Sequence, residues 1–316
     1  MPVIVYGSGK LRKRNEDNNL IKLIASDMDG TLFNSNQEIS PLNIAAIKQA
    51  EKQNVEFMIA TGRSLDTIGA IAKEYQLNCS FLLLNGAEIR DKDKNIISTA
   101  NIEYDILPRL YDTLVEMGYV PEFMTGQNTQ ICGSEETMYR NMGYRMLCLD
   151  RSHTLTLEEA IEKGKTSVFM KNMVRNDSLE DMMEKNLPIR KMIVFSPDLE
   201  QNARNREILT AQFPELFISY SYPDNIEINA RQAQKGHGLL QAIEKMGIQK
   251  EEVAVFGDGL NDLSMFELFP NSFAPVNAEY DIKKLAKEVI PSNNDDGVGK
   301  KIFELLDKNK EEEAGR

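Results

Sequence analysis

The sequence predicts an α/β protein whose core is a doubly wound parallel sheet, with a second α/β domain inserted into that core. Short apolar runs of strand length alternate with amphipathic segments of helical spacing, which is typical of a parallel sheet covered by helices. This pattern stops near Glu88 and returns near Arg231. We therefore predict a discontinuous core domain at 20–87 and 232–308, and an inserted domain at 88–231.

The first part of the core is predicted to contain three strands and two helices. Residues 20–25, 55–60 and 80–84 are apolar runs about the length of a buried strand. The segments that follow the first two runs have apolar residues at helical spacing. Ser40 and Pro41 supply the N-cap and first-turn chemistry with which the first of these helices begins.

The inserted segment is predicted to mix strands and helices after an initial hairpin. The hairpin surrounds residues 91–93, and the predicted helices are 104–117, 179–185 and 199–212. The predicted strands are 120–124, 129–132, 167–171, 192–196, 217–220 and 225–229. No acidic motif like that of residues 27–31 occurs in this segment, which supports its interpretation as a separate, inserted α/β domain.

The core pattern resumes with a helix that begins at Lys235 and ends at Gly247, a residue suited to the left-handed C′ position. Residues 253–256 form a fourth core strand, and 273–276 and 289–290 are predicted as short closing strands.

Both ends of the chain are polar and are predicted to lie outside the core. Residues 1–19 are interpreted as a flexible extension, because they are mostly polar and charged. Residues 309–316 are interpreted as a charged, frayed tail.

Composition excludes several classes of partner. The 316 residues contain 49 Asp and Glu against 37 Lys and Arg, a net charge of −12, and no sustained basic stripe relieves it. Nucleic acid and anionic membranes are therefore not expected as partners.

No apolar stretch approaches the roughly 20 residues needed to span a bilayer. Cys79, Cys132 and Cys148 lie far apart, so we expect reduced thiols in a cytoplasmic protein. The oligomeric state does not follow from the sequence.

Asp27 and Asp29 follow the first strand and are separated by one residue. In an extended chain such side chains point to the same side, so two carboxylates leave the strand end together. They repel unless a cation or a shared proton lies between them. Gly30 allows a tight turn behind them, and Thr31 offers a hydroxyl. The alternative interpretation is an ordinary surface turn, since Asp and Gly are common turn residues.

Three further strand ends carry groups suited to a phosphate monoester. Such an ester has two negative charges, and Mg²⁺ prefers carboxylate, carbonyl and water oxygens. Asp27 and Asp258 can supply carboxylates to the metal, with the Asp29 carbonyl between them. Lys235 supplies a fixed positive charge, and the Thr61 hydroxyl can bind phosphate oxygens.

Several neighbouring residues have more than one interpretation. The Gly62 N–H, just before a helix, is expected to bind phosphate together with Thr61. Asp262 either supports the metal or caps its helix, and the two roles are compatible. Arg63 either holds a loop in place or touches phosphate. Taken alone, Lys235 would be an ordinary surface lysine before a helix.

These motifs resemble those of the haloacid dehalogenase (HAD) superfamily, specifically the Cof-like phosphatases of subfamily IIB. The resemblance covers residues 20–306 and includes the motifs 27–32, 60–63, 85–87, 235–236 and 257–262, in the order of that family. It implies a HAD-like Rossmannoid core, and it implies that residues 88–231 form a mobile α/β cap.

The resemblance also implies roles for individual residues. Asp27 matches the nucleophile and Asp29 the general acid/base. Asp258 matches the acidic metal ligand, and Asp262 the neighbouring acid that supports the metal. Thr61 and Lys235 match the phosphate-binding hydroxyl and lysine, and Asn261, beside Asp262, is placed with the phosphate-binding group.

Two positions depart from the pattern of the family. Residues 274–278 read Ala-Pro-Val-Asn-Ala where relatives usually have Ala-Met-Gly-Asn-Ala, and Leu260 stands where an acid is common. The expected function is that of a Mg²⁺-dependent phosphatase acting on small phosphorylated metabolites, such as sugar phosphates or nucleotides, through an aspartyl-phosphate. The alternatives are a phosphotransferase or mutase that uses the same residues, and a regulator that binds a phosphorylated ligand without turnover.

Overall fold

A computed structural model describes residues 20–150, 152 and 154–315 of the chain. These residues form an α/β fold with two sheets, and the predicted fold class is confirmed. The predicted extension at 1–19 lies outside the described residues. Within the ranges above, no helix has both the length and the apolar character that crossing a bilayer requires.

The first sheet has eight strands and is mainly parallel. Its strands are β1 Leu23–Ser26, β2 Glu56–Ala60, β3 Ser80–Leu83, β4 Glu88–Arg90, β5 Ile96–Thr99, β12 Val253–Phe256, β13 Asn271–Pro275 and β14 Glu288–Ile290. They lie in the order β14-β13-β12-β1-β2-β3-β4-β5. Neighbours from β14 to β3 pair in parallel, while β4 and β5 are added antiparallel at one edge.

Helices cover both faces of this sheet. On one face lie α1 Pro41–Lys52, α2 Leu65–Glu74 and α12 Gly297–Ala314. On the other lie α9 Lys235–Met246, α10 Leu263–Leu268 and α11 Tyr280–Leu285. Consecutive side chains of β1, Leu23 and Ile24, are both fully buried but pack in different layers. Burial on both faces explains why the core strands are continuous apolar runs.

The predicted helix ends are confirmed where cap chemistry was identified. The Ser40 hydroxyl accepts a hydrogen bond from the Asn43 N–H at 3.1 Å, and Pro41 is the first residue of α1. Gly247 ends α9 with a φ of 68°, the left-handed conformation that glycine adopts readily.

The second sheet has six strands, β6 Glu122–Met124, β7 Thr129–Cys132, β8 Met173–Asn176, β9 Lys191–Phe195, β10 Leu216–Ser219 and β11 Asn225–Ala230. They lie in the order β10-β11-β9-β6-β7-β8. One face is covered by α3 Leu107–Glu116, α7 Leu179–Glu184 and α8 Leu199–Gln212. On the opposite face, Ile193 and Phe195 of β9 join the apolar cluster of the first sheet.

The hairpin near residues 91–93 belongs to the first sheet, which corrects the predicted boundary of the inserted segment. β4 pairs with β3, and β5 pairs with β4, so both extend the core sheet. The segment that builds the second sheet therefore starts after Thr99 rather than at Glu88. The alternation of strand and helix patterns ends near Glu88, but this local change does not tell which sheet the hairpin joins. Sheet membership depends on the edge strand with which the hairpin pairs.

The prediction of a strand at 167–171 is wrong. Val168–Lys171 is a short helix, α6, and the Ser167 hydroxyl caps it by accepting from the Met170 N–H at 3.3 Å. Phe169 and Met170 pack on a small apolar cluster formed by α4 Glu135–Leu149 and α5 Leu157–Lys165. Neither of these two helices was predicted from the sequence. Tertiary packing here overrides the β-propensity of Val and Phe.

The predicted frayed tail is largely helical. Helix α12 continues to Ala314, and the Asn309 side chain is buried against the start of the core. Asn309 Oδ1 accepts from the Ile21 N–H at 2.9 Å, and its Nδ2 donates to the Ile21 carbonyl at 2.8 Å. One amide side chain therefore fastens the last helix to the residues before β1.

Candidate active site

The candidate site lies where the carboxyl ends of β12, β1 and β2 meet. β1 lies between the other two strands and pairs in parallel with both, so all three strands end at the same edge of the sheet. Asp27 directly follows β1, Thr61 directly follows β2, and Asp258 follows β12 after Gly257. The Asp27 N–H donates to the Phe256 carbonyl at 2.9 Å. This bond holds Asp27 beside the loop that carries Asp258.

Lys235 lies between two carboxylates at this edge. Its Nζ donates to Asp27 Oδ1 and to Asp262 Oδ1, each at 2.6 Å, and its side chain is fully buried. Burial alone would lower the pKa of Lys235, but the carboxylates of Asp262 and Asp27 raise it above its ordinary value. The lysine is therefore a fixed cation, positioned by Asp27 from one strand end and Asp262 from another.

Three acids crowd together beside this lysine. One carboxylate oxygen from each of Asp27, Asp258 and Asp262 lies within 4.8 Å of the others. Burial raises the pKa of Asp27 well above its ordinary value, although Lys235 opposes the rise. Burial, reinforced by Asp262, raises the pKa of Asp258 to about 7. A divalent cation would relieve this repulsion, and an all-oxygen donor set is the kind that Mg²⁺ prefers.

The turn after Asp27 brings its backbone close to Asp258. The Thr31 hydroxyl donates to Asp258 Oδ1 at 2.7 Å. Gly30 has a φ of 79°, and a Cβ placed on it would lie 2.2 Å from Asp258 Oδ2. Glycine is thus required here for both conformation and space. Because Gly30 and Thr31 approach Asp258, the main chain that follows Asp29 lies next to the acidic cluster.

Asp29 is paired with Arg63 rather than with the acidic cluster. Arg63 Nε donates to Asp29 Oδ2 at 2.8 Å, and Arg63 Nη2 donates to Asp29 Oδ1 and to Gln37 Oε1. The Arg63 guanidinium also lies over the Phe33 ring, 5.3 Å from its centroid. The pair is bidentate, which fixes the direction of the Asp29 carboxylate. Of the two interpretations of Arg63, this structure favours the one in which it holds a neighbouring group in place.

The loop after β2 presents donors at the same edge. The Thr61 carbonyl accepts from the Asn85 N–H and the Arg63 carbonyl from the Leu84 N–H, both at 3.1 Å. The Arg63 N–H donates to Thr61 Oγ1 at 3.2 Å. No acceptor in the described part of the chain takes the Gly62 N–H, which leaves this donor for a ligand.

Comparison with known proteins identifies the family. Residues 24–302 match the family described as haloacid dehalogenase-like hydrolase. The chain belongs to the haloacid dehalogenase-like hydrolases. The predicted superfamily, its Cof-like group and the predicted class of enzyme, a HAD-type hydrolase of phosphoric monoesters, are confirmed.

Relatives cover nearly the whole chain. The chain is 29% identical over 284 residues to the Bacillus subtilis protein named 5-amino-6-(5-phospho-D-ribitylamino)uracil phosphatase YcsE, which covers 89% of this chain and 94% of that protein. It is 28% identical over 302 residues to Phosphatase YwpJ of the same organism, covering 90% and 100%. The solved structure of a haloacid dehalogenase-like hydrolase from B. subtilis aligns with a TM-score of 0.76 at 25% identity, covering 90% of this chain and 99% of that chain.

Four of the predicted site residues of this HAD hydrolase lie together: Asp27, Lys235, Asp258 and Asp262. Thr61 follows the neighbouring strand β2 at the same edge of the sheet. The Asp29 carboxylate is turned toward Arg63, so only the Asp29 main-chain carbonyl is left for the metal role predicted for this residue. Asp262 Oδ2 accepts from the N–H groups of Asp258 and Gly259 at 2.9 and 3.1 Å. It therefore orders the acidic loop. The interpretation that Asp262 caps its helix is wrong, because its side chain makes no cap bond to α10. Asn261 is buried beside Gly259 in the same loop.

The two departures from the family pattern lie next to a loop that supports the acidic cluster. Val276 is exposed. Leu260 is partly buried and packs against the apolar cluster between the first sheet and helices α9, α10 and α11. Between β13 and α11, Asn277 Nδ2 donates to the Gly30 carbonyl at 2.8 Å, and the Glu279 N–H donates to the Asp258 carbonyl at 2.9 Å. This loop thus fastens the main chain on both sides of the acids.

Some polar partners of the site come from distant parts of the chain and were not predicted. Asn277 gave no signal, because a lone Asn in a loop is ordinary. Lys191 and Glu227 of the second sheet reach the Thr61 loop, where the Lys191 Nζ donates to the Gly62 carbonyl at 3.0 Å. The only available signals were a lysine in an otherwise apolar strand, 191–195, and alternating polar residues in the strand 225–230.

Proposed function

We propose that this HAD hydrolase is a Mg²⁺-dependent phosphatase of small phosphorylated metabolites, such as sugar phosphates or nucleotides, and that Asp27 is its nucleophile. The observation that carries the proposal is the buried arrangement of Lys235 between Asp27 and Asp262, beside Asp258. It combines a carboxylate nucleophile, a fixed cation and a metal-binding acid at one sheet edge. The names of the relatives, which are phosphatases, support a small phosphorylated substrate.

The donor set fits a resident Mg²⁺. Asp27 and Asp258 would hold it through carboxylate oxygens and Asp29 through its main-chain carbonyl, while Asp262 orders the loop from behind. Bound Mg²⁺ would neutralise part of the charge on the phosphoryl group. Lys235, Thr61 and the Gly62 N–H would bind the phosphoryl oxygens.

The reaction is proposed to have two steps. Asp29 first leaves Arg63 and takes up a proton, because a carboxylate held by that guanidinium has no proton to give. The Asp27 oxygen then attacks phosphorus, the ester P–O bond breaks, and its electron pair leaves with the alcohol oxygen, which takes the proton from Asp29. In the second step a water oxygen attacks phosphorus and gives a proton to Asp29. The bond between Asp27 and phosphorus breaks, so that inorganic phosphate and the free carboxylate are restored.

The segment after Thr99 is proposed to act as a cap. Two chain connections link it to the core, which permits hinge motion, and closure would exclude bulk water from the site. A cytoplasmic location is also part of this proposal, as is the absence of nucleic acid and membrane partners.

A release assay over a panel of phosphorylated metabolites tests the function. We expect phosphate release with Mg²⁺, its loss in a chelator, its return when Mg²⁺ is added, and inhibition by Ca²⁺, whose larger and looser shell misplaces the nucleophile. Full activity in a chelator would contradict the metal site. Transfer of phosphate to an added sugar would favour a phosphotransferase. Binding of panel compounds without release in Mg²⁺ would favour a regulator.

A further inference from the structure

The second sheet carries an unusual set of buried polar side chains on the face that meets the core. Lys191, Glu227 and Asn229 are each at most 2% exposed. Asn229 of β11 pairs with Lys191 of β9, and Glu227 pairs with Ile193. Residues two apart in a strand face the same side, so Glu227 lies on the same face as Asn229, in the next row of paired residues. Lys191 Nζ and Glu227 Oε1 are 2.9 Å apart. Fully buried ion pairs are costly to desolvate and are weak evidence for stability, so this one calls for another explanation.

This buried cluster contacts the core at Asn85, in the connection that follows β3, and at Gly62, in the loop 61–63. The loop 61–63 is called the phosphate loop, after its role in the proposed function. Asn85 Nδ2 donates to Glu227 Oε2 at 2.7 Å and to Asn229 Oδ1 at 3.1 Å. Lys191 Nζ donates to the Gly62 carbonyl at 3.0 Å. A Cβ on Gly62 would lie 2.9 Å from Asn85 Oδ1 and 3.3 Å from Lys191 Nζ. The absence of a side chain at Gly62 therefore leaves room for Asn85 and for the end of Lys191 close to this loop.

The bond from Lys191 fixes one peptide plane of the phosphate loop. In a trans peptide the C=O and N–H point in opposite directions, so holding the Gly62 carbonyl also aims the Arg63 N–H. That N–H donates to Thr61 Oγ1 at 3.2 Å. Because the hydroxyl oxygen is then occupied as an acceptor, its own proton is left to donate to a phosphate oxygen.

We propose that Lys191, with Glu227 as its counter-ion, is a positioning residue that acts from the inserted domain through the Gly62 carbonyl to orient the Thr61 hydroxyl for phosphate. The inference rests on the proposed function, because it takes Thr61 and Gly62 as phosphate donors. On this inference, the affinity for phosphate depends on how the second sheet packs against the core. A phosphoryl group would thus be bound best only when that domain is in place.

The chain offers a matched control pair. Glu122 lies on the same face of the same sheet, in the row of Glu227, and Arg145 Nη1 donates to Glu122 Oε2 at 2.7 Å. Glu122 is fully buried and the Arg145 side chain is 13% exposed. No bond joins this pair to the 61–63 loop within the described residues. Lys191→Met and Arg145→Met each leave one buried glutamate without its cation. Arg145→Met also removes the stacking of the guanidinium on Phe169 and Phe195, so it is a demanding control for general damage.

The test measures the Kd of inorganic phosphate with Mg²⁺ by calorimetry, and amide exchange of the 60–64 peptide. Lys191→Met is expected to weaken phosphate binding by about tenfold or more, the size expected for losing a charge-assisted hydrogen bond, and to speed loop exchange. Arg145→Met is expected to stay within about twofold of wild type. Lys191→Arg should restore most of the affinity, since it keeps a cationic donor.

A double-mutant cycle with Thr61→Ala separates positioning from general damage. If Lys191 acts through the Thr61 hydroxyl, Lys191→Met should cost much less affinity in the Thr61→Ala background than in wild type. Additive losses would overturn the proposal, as would equal affinities and exchange rates in Lys191→Met and Arg145→Met. If Lys191→Met does not fold, Glu227→Gln against Glu122→Gln decides by the same two measurements.

Failure of this inference and failure of the proposed function give different results. A wild-type protein that binds phosphate but hydrolyses no panel compound contradicts the phosphatase, while the affinity comparison still tests Lys191. A wild-type phosphatase in which Lys191→Met matches Arg145→Met contradicts only the positioning role. A wild-type protein that does not bind phosphate contradicts both.

Discussion

The position of Lys235 shows how individual residues concentrate buried charge at the proposed site. Its ammonium group is fully buried and bridges Asp27 and Asp262, and Asp258 is close by. Concentrating these charges away from water costs folding free energy, which paired charges only partly recover. The arrangement makes chemical sense as a preorganised site, in which donors and cations are already in place when phosphate arrives.

At the residue scale, Asp27→Asn is expected to abolish turnover while the fold persists. An amide can still accept the hydrogen bond from Lys235 through its Oδ1, but it cannot attack phosphorus. We expect kcat for p-nitrophenyl phosphate to fall by about 10³-fold or more, as when a nucleophile is removed, with a circular dichroism spectrum like that of wild type. Near-normal activity in a folded variant would refute the covalent mechanism.

Asp29→Asn is expected to separate metal binding from proton transfer. The main-chain carbonyl is unchanged, so the affinity for Mg²⁺ should be nearly that of wild type, while the leaving alcohol can no longer take a proton from this side chain. Aryl phosphates, whose leaving groups need less protonation, should therefore lose less activity than alkyl phosphates. The measurement is kcat/KM for both classes, and an equal loss for both would remove Asp29 from the acid role.

At the scale of elements, the start of α9 is held against α10 by close backbone packing. A Cβ on Gly236 would lie 2.2 Å from the Ser264 carbonyl oxygen, and the Gly236 N–H donates to Ser264 Oγ at 2.8 Å. Lys235 directly precedes this contact. The helix packing therefore decides where the lysine reaches the two carboxylates.

Gly236→Ala should damage both stability and activity, because the added methyl must push α9 away from α10. Overpacking of this kind costs about 1–3 kcal/mol of unfolding free energy. Gly247→Ala at the other end of α9 is the matched control, since its φ of 68° is strained for alanine but a Cβ there meets no atom within 4 Å.

The comparison uses urea denaturation and kcat/KM for p-nitrophenyl phosphate. Gly247→Ala is expected to lose about 1 kcal/mol of stability with activity retained, whereas Gly236→Ala loses both. Equal activity in the two variants would mean that the placement of Lys235 tolerates a shift of its helix.

At the scale of the whole molecule, two sheets meet at a compact polar hinge. Leu84, Asn85 and Gly86 are three consecutive residues with positive φ values of 52°, 62° and 94°. The first two are not glycine and are strained there, and both are fully buried. Asn229 Nδ2 donates to the Leu84 carbonyl at 2.9 Å. The end of β11, where the chain returns to the core, therefore stabilises the turn at 84–86, where the chain leaves β3.

Selectivity is expected to depend on the segment that builds the second sheet. In the proposed function the core groups contact only the phosphoryl group, so contacts to the rest of a metabolite are expected to come from elsewhere. Replacing residues 101–230 with a short linker should reduce hydrolysis of the best metabolite more than hydrolysis of p-nitrophenyl phosphate. The measurement is the ratio of the two kcat/KM values in protein that remains folded. An unchanged ratio would assign selectivity to the core loops.

The sequence by itself determined the architecture of the core and the composition of the site. Strand-length apolar runs and helical periodicity are local patterns, and they placed β1, β2, β3 and β12 to within a few residues. Because parallel strands end at one edge, motifs that follow successive strands must meet in space. For this reason Asp27, Thr61 and Asp258 could be grouped from their order in the chain. Lys235 begins a helix rather than following a core strand, and it was assigned to the site by its resemblance to the family.

Only the tertiary structure decided which polar groups pair and which sheet each hairpin joins. Asp29 with Arg63, Gly62 with Lys191, and Gly30 with Asn277 are separated by 34, 129 and 247 positions in the chain. The hairpin at 88–99 has the same local pattern whichever sheet edge it extends. Side-chain direction and edge pairing depend on the packing of elements distant in sequence, which no local periodicity records. The support of the phosphate loop by the second sheet is a property of the assembled fold.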